Sequence, residues 1–95
     1  MGHFTTRPLR FKGQNLILNV EPAGPEAEMK VQLLSADGEV IPGYTFDDCT
    51  AITEDLLDAQ IKWTGKDYIG PEISEKPVRL HFRFRNMRIY AFQFR

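Results

Sequence analysis

The side chains that could do chemistry here are few and scattered: one cysteine (Cys49), two histidines (His3 and His81) and two serines (Ser35 and Ser74). Nucleophilic catalysis needs a hydroxyl or thiol with a base in hydrogen-bond reach. Neither serine sits in a Gly-x-Ser-x-Gly turn, and Cys49 has no histidine near it in sequence. A Cys49–His81 pair would have to be assembled by the fold, so the expectation for Cys49 is a small packed hydrophobe. Two histidines on distant segments do not make a zinc centre, and metal ligation stays unassigned. Asp47, Asp48, Glu54, Asp55 and Asp58 offer carboxylates. Calcium would take such oxygens, and glycoside hydrolysis would need two of them fixed across a cleft. EF-hand spacing is absent, and a 95-residue chain leaves little room for an enclosing cleft. A solvated acidic loop is therefore expected, with no cofactor and with structural calcium unsupported by any motif. Lys12-Gly13 is a turn, not a phosphate loop.

Two further groups remain. Arg79, His81, Arg83 and Arg85 alternate with Val78, Leu80, Phe82 and Phe84, which gives one strand an apolar face and a basic back. Guanidinium groups there can grip carboxylate or phosphate bidentately. A solvated sheet face is the simplest reading, and docking on a partner domain is the next. Among the aromatics, Tyr68, Trp63, Tyr44 and Tyr90 are candidates for stacking on sugar rings. Trp63 and Tyr90 fall on faces expected to be core; Tyr68, in a long connection, is the best placed for exposure.

The elements that must position these residues read almost entirely as strands. Phe4-Thr5-Thr6-Arg7-Pro8-Leu9-Arg10-Phe11 opens the chain, and Pro8, with no N–H to donate, places it at a sheet edge. Leu16-Ile17-Leu18-Asn19-Val20 follows a Lys12-Gly13-Gln14-Asn15 turn, and Glu21-Pro22-Ala23-Gly24-Pro25 is a loop. Met29 to Leu34 is a strand whose Asp37-Gly38 turn predicts a hairpin returning through Val40 and Ile41. The run 47–58 is a loop or a single helical turn, with Thr53 as a possible cap. Ala59, Ile61 and Trp63 point inward from the next strand. Tyr68 and Ile69 lie in a long connection that could fold back over the core.

The last fifth predicts a hairpin, Pro77 to Arg85 returning through Met87 to Phe94 about a turn at Asn86. With a two-residue loop, Tyr90, Phe92 and Phe94 would share the arginine face. With a three-residue loop at Asn86-Met87-Arg88, Phe84 faces Tyr90, Phe82 faces Phe92 and Leu80 faces Phe94, which leaves Ile89, Ala91, Gln93 and Arg95 outward. A one-residue slip moves every side chain to the other face. Burying each aromatic is worth roughly 1.5–3 kcal/mol, against about 0.5–2 kcal/mol for a cation–π contact, so the second register is expected.

The pattern predicts one all-β domain over 1–95: an antiparallel two-sheet β-sandwich, jelly-roll-like, of about 7–8 strands. Twelve basic residues nearly balance thirteen acidic ones, so no general pull toward nucleic acid or anionic membrane is expected. A single cysteine excludes an intramolecular disulfide. No run approaches the roughly 20 apolar residues of a membrane span. Met1-Gly2-His3 carries no signal peptide and reads as the start of a fragment.

The motif order carries a resemblance. Thr5-Thr6-Arg7-Pro8-Leu9-Arg10-Phe11-Lys12-Gly13, Leu16-Ile17-Leu18-Asn19-Val20 and Asp37-Gly38-Glu39-Val40-Ile41-Pro42-Gly43-Tyr44 are part of it. So are Asp47-Asp48-Cys49, Ile61-Lys62-Trp63-Thr64-Gly65, Lys76-Pro77-Val78-Arg79-Leu80 and Tyr90-Ala91-Phe92-Gln93-Phe94. Over nearly its whole length the chain resembles the C-terminal β-sandwich accessory domain of secreted bacterial, planctomycete-like proteins. In those proteins the domain follows a glycoside hydrolase of the invertase–levanase or another five-bladed propeller type. Lys66-Asp67-Tyr68-Ile69-Gly70-Pro71-Glu72 departs from the Asp-Leu-Ser-rich connection of that pattern.

The resemblance implies a module that is not an enzyme, appended to a larger extracellular or periplasmic protein, with polysaccharide or oligosaccharide as ligand. Tyr68, Trp63 and Tyr44 are the expected sugar-binding residues. The alternative is a domain that docks on its catalytic partner through Arg79, His81, Arg83 and Arg85 and binds no sugar. A stand-alone enzyme is the third possibility.

Overall fold

Strands form where branched and aromatic side chains alternate with polar ones, and they stop where Gly, Pro, Asn and Asp intervene. The computed structural model describes residues 2–10, 15–53, 56–65, 69–70, 73 and 76–95, with the backbone alone at 56–58. Its elements are β1 (Gly2–Thr5), β2 (Leu16–Pro22), β3 (Glu28–Ser35), β4 (Leu56–Gln60), β5 (Val78–Arg85) and β6 (Met87–Phe94). They form two antiparallel sheets of three strands, ordered β1-β5-β3 and β4-β2-β6. Six strands are described rather than the expected seven or eight. The runs at 40–41 and 61–64 contribute single bridges, Val40 to Leu34 and Trp63 to Cys49. The Asp37-Gly38 turn is made, with Gly38 at φ 91° and the Gly38 N–H donating to the Ser35 carbonyl. Pro42 then ends the return.

The opening strand is split. After β1, Thr6 continues the pairing by accepting the Leu80 N–H on its hydroxyl, and Leu9 bridges Val78 beyond Pro8. β1 is an edge strand, as Pro8 requires. The turn expected at 12–15 and the possible cap on residues 54–55 fall largely outside the described residues.

Leu16, Leu18 and Val20 from β2, Met29, Val31 and Leu33 from β3, and Leu80 and Phe82 from β5 are each no more than 2% exposed and form one core. Ile69 joins it, fully buried. The free edge of β3 is closed residue by residue. Met29 exchanges backbone bonds with Ile52, and Leu33 bonds Tyr44 and Ile41. Between them, the Val31 N–H donates to Cys49 Sγ (3.4 Å), and the Val31 carbonyl accepts from Trp63 Nε1 (3.0 Å). Side chains here replace a fourth strand, which satisfies backbone groups that would be costly to bury unpaired.

The closing stretch departs from expectation. β5 and β6 do not pair; they belong to different sheets, with β6 against β2 and β5 between β1 and β3. Only Asn86 separates them, at φ 46°. The chain makes a second crossing beside it, from β2 to β3 through residues 23–27. Pro22 pairs with Met87 before the corner, and Glu28 with Arg85 after it. The two crossings are laced together: the Ala23 N–H donates to the Asn86 carbonyl (2.7 Å), and Asn86 Nδ2 donates to the Pro25 carbonyl (2.7 Å). A Cβ on Gly24 would stand 3.0 Å from Asn86 Cγ, so glycine permits the approach.

Neither hairpin register applies, because the partner of β6 is a distant strand. Phe92 and Phe94 lie opposite Leu18 and Leu16, on the core side, but Tyr90 is an extra residue between Ala91 (opposite Asn19) and Ile89 (opposite Val20). This bulge changes the parity of the strand. Ile89 and Met87, expected outward or in a turn, pack against the core, while Tyr90 is 62% exposed.

Replacing Asn86 removes one side-chain hydrogen bond and leaves a Cβ-bearing residue at positive φ. Asn86→Ala is expected to lower unfolding free energy by about 1–2 kcal/mol in urea titration. Asn86→Gly should lose less, since glycine takes this conformation freely. An alanine variant within about 0.5 kcal/mol of wild type, the usual scatter of surface substitutions, would contradict the laced corner.

Candidate functional site

Two of the three expected sugar-stacking residues lie inside the protein. Trp63 is 2% exposed and Tyr44 3%, with their rings edge-to-face at 5.2 Å. The Tyr44 oxygen accepts the Gly70 N–H at 3.0 Å. Neither ring presents a face to solvent. Both anchor the connection between sheets, Trp63 through Val31 and Tyr44 through Gly70. Tyr68 lies outside the described residues. Cys49 is buried, and burial pushes its thiol up from the ordinary range.

The basic back of β5 is largely spent within the molecule. Arg79 donates from Nε to the Ala36 carbonyl (3.0 Å) and from Nη1 to the Thr6 carbonyl (3.3 Å), tying the 36–38 turn to the end of β1. Arg83 lies over the Phe46 ring, 4.6 Å from its centroid, and its buried Nε has no hydrogen-bond partner. Arg85 faces Glu26 at 3.8 Å in an exposed pair, the kind worth little in water. These residues do share one face, as alternation predicted.

His81 stands at the centre of that face. The Phe46 N–H donates to Gln32 Oε1 (3.3 Å), which leaves Gln32 Nε2 as the donor toward His81 Nδ1 (2.8 Å). A proton then sits on His81 Nε2, directed at His3 Nδ1, 3.2 Å away. The chain Gln32–His81–His3 thus has a defined direction, set at one end by a backbone amide. The Phe46 ring closes over it, 4.8 Å from the His81 ring. Alternation placed His81 on this face; Gln32, Phe46 and His3 were not assigned to it, since strand order decides which residues meet there.

The exposed aromatics gather elsewhere, along the open side between β1 and β6. Neither outer edge is paired among the described strands. Phe4 is 52% exposed and Phe92 38%, with Phe82 between them at 5.8 and 6.0 Å between ring centroids. With Ile89, Tyr90 and Ala91 they line a cleft of about 350 Å³. The Tyr90 hydroxyl, at the rim of the cleft, donates to Glu21 Oε2 (3.0 Å), and Arg88 approaches the other Glu21 oxygen at 3.7 Å. An apolar hollow of this size, with the Tyr90 hydroxyl at its rim, suits a small ligand. Another hollow, about 290 Å³, lies by Thr50, Ile52, Ala59 and Lys62 and carries no aromatic ring. Of the cleft residues, Phe82, Tyr90 and Phe92 are expected in the core of a hairpin, whereas Ile89 and Ala91 are expected to point outward. No cluster of three His, Cys, Asp or Glu occurs among the described residues. Comparison of the chain with protein families, with curated proteins and with solved structures found no match.

Protonating His81 would set a third N–H against the Gln32 amide. Burial first, then the charges of His3 and Arg83, hold its pKa below the ordinary imidazole value. The unfolded chain therefore binds more protons as the pH drops, so this contribution to stability is complete above about pH 6.5 and is lost as the pH falls through the folded value. Urea midpoints are expected to decline below that pH, and His81→Asn should flatten the decline. An identical pH dependence in the variant would contradict the account.

Proposed function

We propose that the chain is a non-catalytic, carbohydrate-associated β-sandwich module, jelly-roll-like in form, which binds polysaccharide or oligosaccharide in the aromatic cleft between β1 and β6. The observation that carries this reading is that Phe4, Tyr90 and Phe92 are exposed together around Phe82. Isolated exposed apolar residues are ordinary, but a cluster of exposed aromatics calls for a ligand. A pyranose ring has one apolar C–H face for stacking and equatorial hydroxyls for partners such as Glu21 and Tyr90. One core built from both sheets supports the sandwich description. The buried, hydrogen-bonded state of Cys49 supports a non-catalytic role. The parent protein in this reading is a secreted glycoside hydrolase, with the module working outside the cytoplasm or in the periplasm. Docking on the catalytic domain through the arginine face is the weaker reading, since Arg79 and His81 already have internal partners.

Affinity electrophoresis against glucans, xylans, mannans and fructans tests the proposal. At least one polysaccharide is expected to retard the protein. Tyr90→Ala, at an exposed position, should weaken that binding by about tenfold, the equivalent of some 1.4 kcal/mol. No retardation on any of the four polymer classes would overturn it.

A further inference from the structure

We propose that His3 and His81 together form a binding site for a divalent transition-metal ion of the zinc type on the outer face of the β1-β5-β3 sheet. Thr5 lies opposite His81 and His3 opposite Arg83, so the two histidines are diagonal neighbours on adjacent strands. Their rings converge until His3 Nδ1 and His81 Nε2 are 3.2 Å apart. Two nitrogens held at about 2.0–2.1 Å from one metal stand ~3.3–3.4 Å apart at the tetrahedral angle and ~2.9 Å apart at a right angle. The observed spacing lies between these values, so turning the rings without separating them brings both lone pairs onto one ion. His3 is exposed and free to make that adjustment.

Imidazole nitrogen selects zinc, copper and nickel over magnesium and calcium, which prefer oxygen. The charge of Arg83 beside the site opposes loosely held cations, which leaves coordination as the attraction. The proton that His81 Nε2 now directs at His3 must leave that nitrogen. It is taken up on His81 Nδ1 through solvent, so the imidazole stays neutral. Gln32 then turns its amide to accept the new N–H through Oε1 and releases the Phe46 N–H. Such an outer partner fixes a metal-bound histidine. Water completes the coordination, because the described residues add no third His, Cys, Asp or Glu ligand.

Titration calorimetry with zinc chloride on the protein carrying no added histidines, near neutral pH, is the test. One zinc per chain is expected, with affinity reduced at least about tenfold by His3→Ala and by His81→Ala. His3 is exposed, so its variant decides the matter should the His81 variant fold poorly. In amide NMR spectra the Phe46 signal should move on zinc addition. Gln32→Glu should tighten binding, because a carboxylate can accept from His81 and Phe46 at once. Absence of saturable binding, or binding that survives His3→Ala unchanged, would overturn the assignment.

Discussion

The structure depends on the corner where two segments of chain cross from one sheet to the other side by side. At Asn86 the backbone turns through a left-handed residue, and the 23–27 crossing runs alongside it. Two hydrogen bonds of 2.7 Å join them, one to the Asn86 carbonyl and one from its side chain. Pro22 and Met87 pair on one side of the corner, Glu28 and Arg85 on the other. The two antiparallel ladders therefore bend together, and strand partners are fixed far along each sheet. Once β6 is bound to β2 it cannot return along β5.

That constraint divides the molecule into a closed side and an open side. On the closed side, Ile52, Cys49, Trp63, Tyr44 and Ile41 satisfy the free edge of β3. On the open side, β1 and β6 end their sheets without a described partner strand. Their inward aromatics, Phe4 and Phe92, meet over Phe82 but stay partly in water. The bulge at Tyr90 lifts a further ring to the rim and aims its hydroxyl at Glu21. Exposed edges invite pairing with other chains, and bulky side chains together with a bulge are one way such edges are kept apart.

Much of the fold was legible because alternation is a local property. Residues 78–85 read as a strand with Leu80 and Phe82 inward, and Trp63 and Ile61 read as core. The Asp37-Gly38 turn and the edge position of the Pro8-bearing segment were equally direct. The partner of β6 was not legible. One residue at positive φ serves a hairpin or a crossing equally well, and the choice lies with residues some sixty positions away in the 23–27 loop. Burial energy favours aromatics in the core wherever a partner strand can bury them. On that basis alone Tyr90 and Phe92 belong in the core, yet both are exposed at the cleft. The stacking role expected of Trp63 and Tyr44 met the opposite fate, because large rings near a loop became the filling that closes β3. The His3–His81–Gln32 chain needed strand order, which no periodicity supplies.

The central claim is that β5 and β6 belong to different sheets, since the corner, the core and the cleft all follow from it. Backbone nuclear Overhauser effects in solution test it directly. The account predicts cross-strand contacts from Ala91 to Asn19 and from Phe92 to Leu18, with Phe82 contacting Val31 and Phe4 on its two sides. A ladder of backbone contacts joining Phe84 to Tyr90 and Phe82 to Phe92 would restore the simple hairpin and contradict the account.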